Sequence, residues 1–233
     1  MIRFGASRMR CIITSLVLAL CFVATTHVSQ AQQMTYIRML NGIVSGPKVD
    51  FYLDGNKHLN DQTYSDISKY LRLPNGRHRF EVRASEAPRF RTLVQNRSTA
   101  GDFFTVVPYG TVSRPRLLVL REDAGKPMRE WMNQSRVFVC NLSPSARRMN
   151  VRLSYNGGPF RPMINSLNYG QVKTAYVRAG TATVQVRVGN SVIRTMRVNM
   201  RPGRRHSMFI IGLIGSTANN SAFKVIHEDA ASQ

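Results

Sequence analysis

The sequence predicts an all-β protein: two tandem β-sandwich domains, immunoglobulin-like or transthyretin-like, behind an N-terminal signal peptide. Three observations carry this expectation. Apolar residues alternate at period two, turn signals punctuate the chain at short spacing, and the chain matches itself at an offset of about 100 residues.

Residues 1–31 read as the signal peptide. Arg3, Arg8 and Arg10 form a basic n-region without an acid, Cys11 to Ala24 is an apolar run of h-region length, and Ser29-Gln30-Ala31 puts small residues where a signal peptidase reads. The run is shorter than the roughly 20 apolar residues that a spanning helix needs. The expectation is therefore cleavage before Gln32, a periplasmic or secreted location, and no stable membrane span afterwards. Cleavage removes Cys11 and Cys21 and leaves Cys140, which excludes an intramolecular disulfide or a cysteine-based metal site in the mature chain. Its neighbours Val137-Phe138-Val139 predict a strand and a buried, inert thiol.

The self-match sets the domains. Tyr36–Asn41 lines up with Arg136–Asn141, Val49–Gly55 with Val151–Gly157, Gly76–Arg83 with Gly180–Arg187, Gly101–Gly110 with Gly203–Gly212, and Leu117–Asp123 with Phe223–Asp229. Five collinear blocks predict a duplication, with one β-sandwich domain over 35–124, a polar linker over 125–134 carrying Pro127 and Trp131, and a second β-sandwich domain over 135–230. Within each unit the alternation is that of half-buried strands. Phe80 and Val82 interleave with Arg79, Glu81 and Arg83; Val184, Val186 and Val188 with Gln185 and Arg187; and Met196, Val198 and Met200 with Arg197, Asn199 and Arg201. Asp54-Gly55, Asn156-Gly157-Gly158, Pro74-Asn75-Gly76 and Pro202-Gly203 supply the turns between them. The spacing suggests about seven strands per unit.

A search for chemistry returns few leads. No G-x-S-x-G elbow, P-loop, H-E-x-x-H or G-x-G-x-x-G run is present. No two histidines stand at metal-ligand spacing, and His78 and His206 lie in basic stretches where positive neighbours oppose protonation, so a surface or turn role is expected of them. Asp50 and Asp54 share a face at period two, but Asp54-Gly55 reads as a hairpin turn rather than a calcium loop, and the second unit has Arg152 and Asn156 there. Glu122-Asp123 and Glu228-Asp229 end matched apolar strands, which predicts a structural job such as accepting backbone N–H groups. The expectation is a non-enzyme with no catalytic residue, no metal and no cofactor.

Charge is more informative. The 233 residues carry 27 arginines and 6 lysines against 12 acids, a formal charge of +21. Residues 35–124 hold 14 basic and 9 acidic residues, whereas 135–233 hold 14 and 2, and no acid occurs from Trp131 to His227. A face built only for solubility intersperses both signs, so the second unit is expected to meet an anionic partner. The predicted binding residues are the outward strand residues Arg187, Arg197 and Arg201 with the loop residues Arg147, Arg148, Arg204 and Arg205. Nucleic acid is the ordinary partner for such charge, but export argues against it. Anionic polysaccharide, anionic lipid or an acidic envelope protein remain, and carboxylated sugar chains suit arginine forks well.

Two resemblances add to this reading. Val49–Gly55, Tyr70–Arg83 and Arg116–Asp123 resemble a bacterial envelope domain of unknown function that typically reads V-D-V-Y-V-D-G, L-P-A-G-x-Y-x-V-x-V and L-L-V-L-E-D and is commonly duplicated. The second unit, with Arg136-Val137-Phe138-Val139-Cys140-Asn141-Leu142-Ser143, resembles the C-terminal half of the AlgF family of periplasmic accessory proteins of alginate O-acetylation. That resemblance implies a non-catalytic adaptor with envelope protein partners in an exopolysaccharide-modification complex (alginate-like or cellulose), beside a membrane O-acyltransferase. It carries over no catalytic residue. The alternative is a structural or adhesion module that binds anionic envelope polymers through the basic second unit.

Overall fold

The computed structural model describes residues 34–85, 93–99, 103–122 and 133–230; the predicted signal segment, Asp123, Ala124 and the linker as far as Met132, Trp131 included, lie outside them. The first sandwich pairs a sheet in the order β2 (Gly42–Val44), β8 (Phe103–Thr111), β1 (Met34–Met39), β5 (Leu71–Pro74), with β9 (Arg114–Arg121) also on β8, against a sheet in the order β4 (Asn56–Gln62), β3 (Val49–Leu53), β6 (Gly76–Ala84), β7 (Leu93–Thr99). The second repeats the plan. One of its sheets runs β13 (Val172–Arg178), β10 (Gln134–Asn141), β16 (Arg205–Ile211), β17 (Lys224–Ala230), and the other β12 (Arg161–Asn168), β11 (Arg148–Tyr155), β14 (Gly180–Val188), β15 (Ser191–Met200). The five matched blocks fall on β1 and β10, β3 and β11, β6 and β14, β8 and β16, and β9 and β17, and the matched pairs β1 with β8 and β10 with β16 are both parallel, with β2 also running parallel to β8 in the first sandwich. The described strands number nine and eight rather than about seven. The extra ones include β4, Asn-Lys-His-Leu-Asn-Asp-Gln, whose mostly exposed face leaves no apolar alternation to detect.

Inside each sandwich the alternation does what it predicts. Phe51, Leu53, Phe80, Val82, Phe104 and Val106 fill the first core, and Val137, Val139, Val151, Val184, Val186, Met208 and Ile210 fill the second. The hairpin reading of Asp54-Gly55 and Asn156-Gly157 also holds: φ is 52° and 86° in the first, 51° and 73° in the second, the left-handed pair that a two-residue turn demands. Asp50 needs no cation, because Lys57 Nζ (2.7 Å), the Asp61 backbone N–H (3.1 Å) and Ser85 Oγ (2.6 Å) donate to it.

A third apolar cluster joins the units. Residues on the far side of the same strands, Val107 and Tyr109 of β8, Phe138 and Cys140 of β10 and Phe209 and Ile211 of β16, pack with Leu40, Tyr64, Leu120 and Leu142. Strands buried on both faces read as continuous apolar runs, which is why Val-Phe-Val-Cys and Met-Phe-Ile-Ile do not alternate. Cys140 is fully buried there, and burial pushes its thiol far above the ordinary cysteine range. Beside the cluster Arg38 is 3% exposed. Its guanidinium donates to Glu122 Oε1 (2.9 Å), Thr105 Oγ1 (2.9 Å) and Glu228 Oε2 (3.2 Å) and lies 4.6 Å over the Tyr70 ring. Glu122 also accepts from Ser207 Oγ (2.7 Å) and Tyr70 Oη (2.5 Å). The strand-end glutamates thus serve side-chain donors across the unit boundary, not backbone N–H groups as expected, because the far face of β9 is an interface rather than solvent.

The histidines depart from expectation for the same reason. His206 lies on β16, fully buried, with its ring stacked on His227 and Nδ1 3.1 Å from His227 Nε2. Burial lowers the pKa of both, that of His227 to about 4. His78 goes the other way: burial lowers it, but the Asp54 carboxylate (2.6 Å) and the Pro74 carbonyl (2.9 Å) outweigh burial and raise it. Unfolded histidines take up a proton near pH 6.5, so between about 6.5 and 4 the unfolded chain binds more protons at the pair and the fold loses stability as pH falls. The expected loss is about 2 kcal/mol after discounting for the partial exposure of His227. His78, whose pKa is raised, acts in the other window: its contribution is complete below about pH 6.5 and is lost as pH rises above it, so the comparison is between variants. His227→Gln should flatten the decline in urea midpoint from pH 7 to 4.5, and an unchanged slope would show that the pair is not its source.

Candidate anion-binding face

The outer faces of β3–β6 and β11–β14 are built on the same frame, and counting back from their matched turns shows what differs. In the first sandwich Asp50 opposes Arg83 and Tyr52 opposes Glu81; at the corresponding places in the second, Arg152 opposes Gln185 and Ser154 opposes Thr183. The first face neutralises itself. Glu81 accepts from Arg83 (2.5 Å) and pairs with Arg79 (3.4 Å), Asp50 pairs with Lys57 (2.7 Å), and the Arg83 guanidinium lies 4.2 Å over the Tyr52 ring. The second face carries Arg148, Arg152 and Arg187 and neither carboxylate: Arg152 stands in the place of Asp50, and Gln185 is the block match of Glu81.

Alternation along β11 sends Met149, Val151 and Leu153 inward and Arg148, Asn150 and Arg152 outward. Asn150 pairs with Arg187 across the strands, which puts Arg152 and Arg187 in diagonal contact range. A cleft of about 280 Å³ opens among Asn150, Arg152, Asn165, Arg187 and Asn190. Several groups in it are already oriented. Arg152 donates to the Phe160 carbonyl (2.7 Å), Arg187 to the Asn190 carbonyl (2.5 Å), and Asn150 Oδ1 accepts the Ser166 N–H (2.9 Å), so its amide nitrogen remains as a donor. Arg152 Nε is buried without a partner. Two guanidinium groups and an oriented amide with no carboxylate among them can hold a carboxylate, sulfate or phosphate, the guanidinium groups bidentately.

The seven arginines expected from sequence divide. Arg148, Arg187 and Arg197 stand on this face, Arg197 opposite Thr183, and exposed Arg147 precedes β11. Arg201, Arg204 and Arg205 do not join them, because Pro202-Gly203 turns the chain into the other sheet. There Arg201 pairs with Asp229 (3.4 Å), the Arg204 carbonyl accepts the Arg136 N–H and Arg205 lies opposite Ala230. Sequence reasoning left out Arg152, Asn150, Asn165 and Asn190. The period-two pattern Arg148-Met149-Asn150-Val151-Arg152 already placed the first two beside Arg148, whereas nothing local marks the asparagines of the neighbouring strand and turn. Among the described residues no three His, Cys, Asp or Glu side chains are placed to hold a metal ion, and no helix is long and apolar enough to cross a membrane.

The family model described as a domain of unknown function, DUF4397, matches residues 35–152, just over half of the chain, running from the first sandwich into β11. No curated protein matches. Among solved structures, the Bacillus anthracis TIE protein is 7% identical with a TM-score of 0.25, over 72% of this chain and 32% of its own, so this chain spans about a third of that protein. CBMbc, of family CBM26, from Eubacterium rectale Amy13K in complex with maltoheptaose is 12% identical with a TM-score of 0.27, over 85% and 98%. A candidate cell adhesion protein from Bacteroides uniformis is 10% identical with a TM-score of 0.24, over 85% and 100%.

Proposed function

The chain belongs to the DUF4397 family, and we propose that it is a non-catalytic, exported binding protein of the cell envelope that holds an anionic polymer on the outer face of its second sandwich. One observation carries this reading: the matched blocks that bear Asp50 and Glu81 in the first unit bear Arg152 and Gln185 in the second, which leaves Arg152 and Arg187 without a carboxylate on their own face. A guanidinium beside no anion in the protein is matched by an anion from outside. Export rests on the basic and apolar runs of residues 1–31, and it is what turns the reading away from nucleic acid.

The two faces provide their own control. Wild type should co-sediment with polygalacturonate at low salt and release it as salt screens the contact. Arg152→Gln and Arg187→Gln should each weaken binding about tenfold, whereas Arg79→Gln and Arg83→Gln on the self-neutralised face should leave it within about twofold. Equal losses from the two faces, or salt-independent binding, would sink the proposal.

A finer form is an AlgF-like accessory role in exopolysaccharide O-acetylation, in which the protein holds the polymer beside its modifying enzymes. The motif run Arg136–Ser143 supports it. Deleting the gene should lower the acetyl content of the secreted polysaccharide, and unchanged acetylation would remove this form while leaving polymer binding intact.

A further inference from the structure

We infer that the polymer path continues from the cleft around the β12 edge into a second, aromatic groove, and that this groove takes the ring and carboxylate of a hexuronate unit. The inference rests on the binding role proposed above and names its ligand class.

The groove lies on the side of the second sandwich where the edge strands β12 and β13 meet. It has two contiguous lobes of about 370 and 250 Å³ that share Leu153, Tyr155, Arg161 and Arg178. Pro162 lines both this groove and the Arg152–Arg187 cleft, so one extended ligand can occupy the two without leaving the surface. Tyr176, which lines the smaller lobe, is 46% exposed, the most exposed large apolar side chain among the described residues. Tyr155 forms the floor: its hydroxyl donates to the Arg178 carbonyl (2.5 Å) and its ring carries the Arg178 guanidinium at 5.0 Å. Arg161 is exposed at the rim.

Aromatic surface beside arginine forks selects among polyanions. A phosphate polymer gains from Arg161 and Arg178 but has no apolar face to lay on Tyr176. An acyl chain needs an enclosed apolar cavity, and this groove is open with Arg161 and Arg178 on its walls. A hexuronate ring offers a C–H face for the tyrosine, a planar carboxylate for the guanidinium groups and hydroxyls for the asparagine amides of the adjoining cleft.

The experiment titrates the full chain with polygalacturonate, its methyl ester, inorganic polyphosphate and poly-glutamate. Tyr176→Ala should weaken polygalacturonate binding about tenfold and leave polyphosphate and poly-glutamate within twofold, and Tyr176→Trp should retain affinity. Arg178→Gln should weaken polygalacturonate but not its ester. The side chain of Tyr176 is exposed enough that an unchanged unfolding midpoint will certify the fold. A Tyr176→Ala variant that binds every polyanion as the parent does, or loses all of them equally, overturns the groove assignment alone. Stronger dependence of poly-glutamate than of polygalacturonate on Tyr176 overturns it in favour of an acidic protein. Failure of the parent chain to bind any of them overturns the binding role and this inference together.

Discussion

Glu122→Gln should cost about 3–5 kcal/mol of stability, because it strips the charge partner from a buried guanidinium. For a protein of this size that corresponds to a fall of roughly 10 °C in Tm. Glu122 is fully buried and is the hub of the contact between the units: Arg38, Tyr70 and Ser207 all donate to it. Its loss leaves Arg38 with Thr105 and with Glu228, whose side chain is 31% exposed and whose pairing water can weaken. Taking away one member of a buried pair costs far more than replacing both. Arg38→Met with Glu122→Gln should therefore recover at least half of the loss, with the Gln carbonyl accepting from one of Tyr70 and Ser207 and its amide donating to the hydroxyl oxygen of the other. Thermal and urea unfolding of the three variants decides it, and a single Glu122→Gln within about 1 kcal/mol of the parent would show that the network contributes nothing net.

That hub marks the limit of what the sequence makes legible. Strands with one wet face announce themselves, and β6, β14 and β15 lie where alternation puts them. The duplication then locates their partners, since a match on β6 and β14 implies a match on everything they pair with. The packing of one unit on the other is not written in alternation, because strands covered on both faces lose it; β8, β10 and β16 read only as apolar. For that reason His206, which a basic neighbourhood marks as a surface residue, is buried, and Glu122 and Glu228 serve partners 84 and 190 residues away in the chain. The binding face was legible to the extent that it reads as strand: Arg187 and Arg197 follow from period two, whereas Arg148, expected in a loop, opens β11. Arg201, Arg204 and Arg205 are near Arg197 in sequence but leave its face, because one Pro-Gly turn exchanges sheets. Arg152 was visible as the counterpart of Asp50, and its meaning depended on seeing that the residue opposite is Gln185 and not another carboxylate.

Gly212→Ala should be the other severe change, with a loss of at least about 3 kcal/mol, from two causes that a second glycine separates. Gly212 has φ of +88°, and a Cβ there would run into the Ala222 carbonyl oxygen and the Tyr64 hydroxyl. Tyr64 belongs to the first unit and donates to that same carbonyl at 2.8 Å, so the collision falls on a bond that ties the units together. Gly110, its counterpart in the first unit, has φ of +97° and meets the Arg114 carbonyl at 2.6 Å and the Tyr169 hydroxyl of the second unit at 3.1 Å. The duplicated glycine is thus a seat for the opposite unit's tyrosine in both directions. Gly157 has φ of +73° but nothing near its would-be Cβ, so Gly157→Ala isolates the conformational strain, about 1 kcal/mol. The excess of Gly212→Ala over Gly157→Ala measures the collision. Adding Tyr64→Phe should relieve only the share due to the hydroxyl, because the Ala222 carbonyl is backbone and cannot withdraw. Should the two alanine variants unfold at the same urea midpoint, the close approach of the units at Gly212 would be refuted and the glycine would be a turn residue like any other.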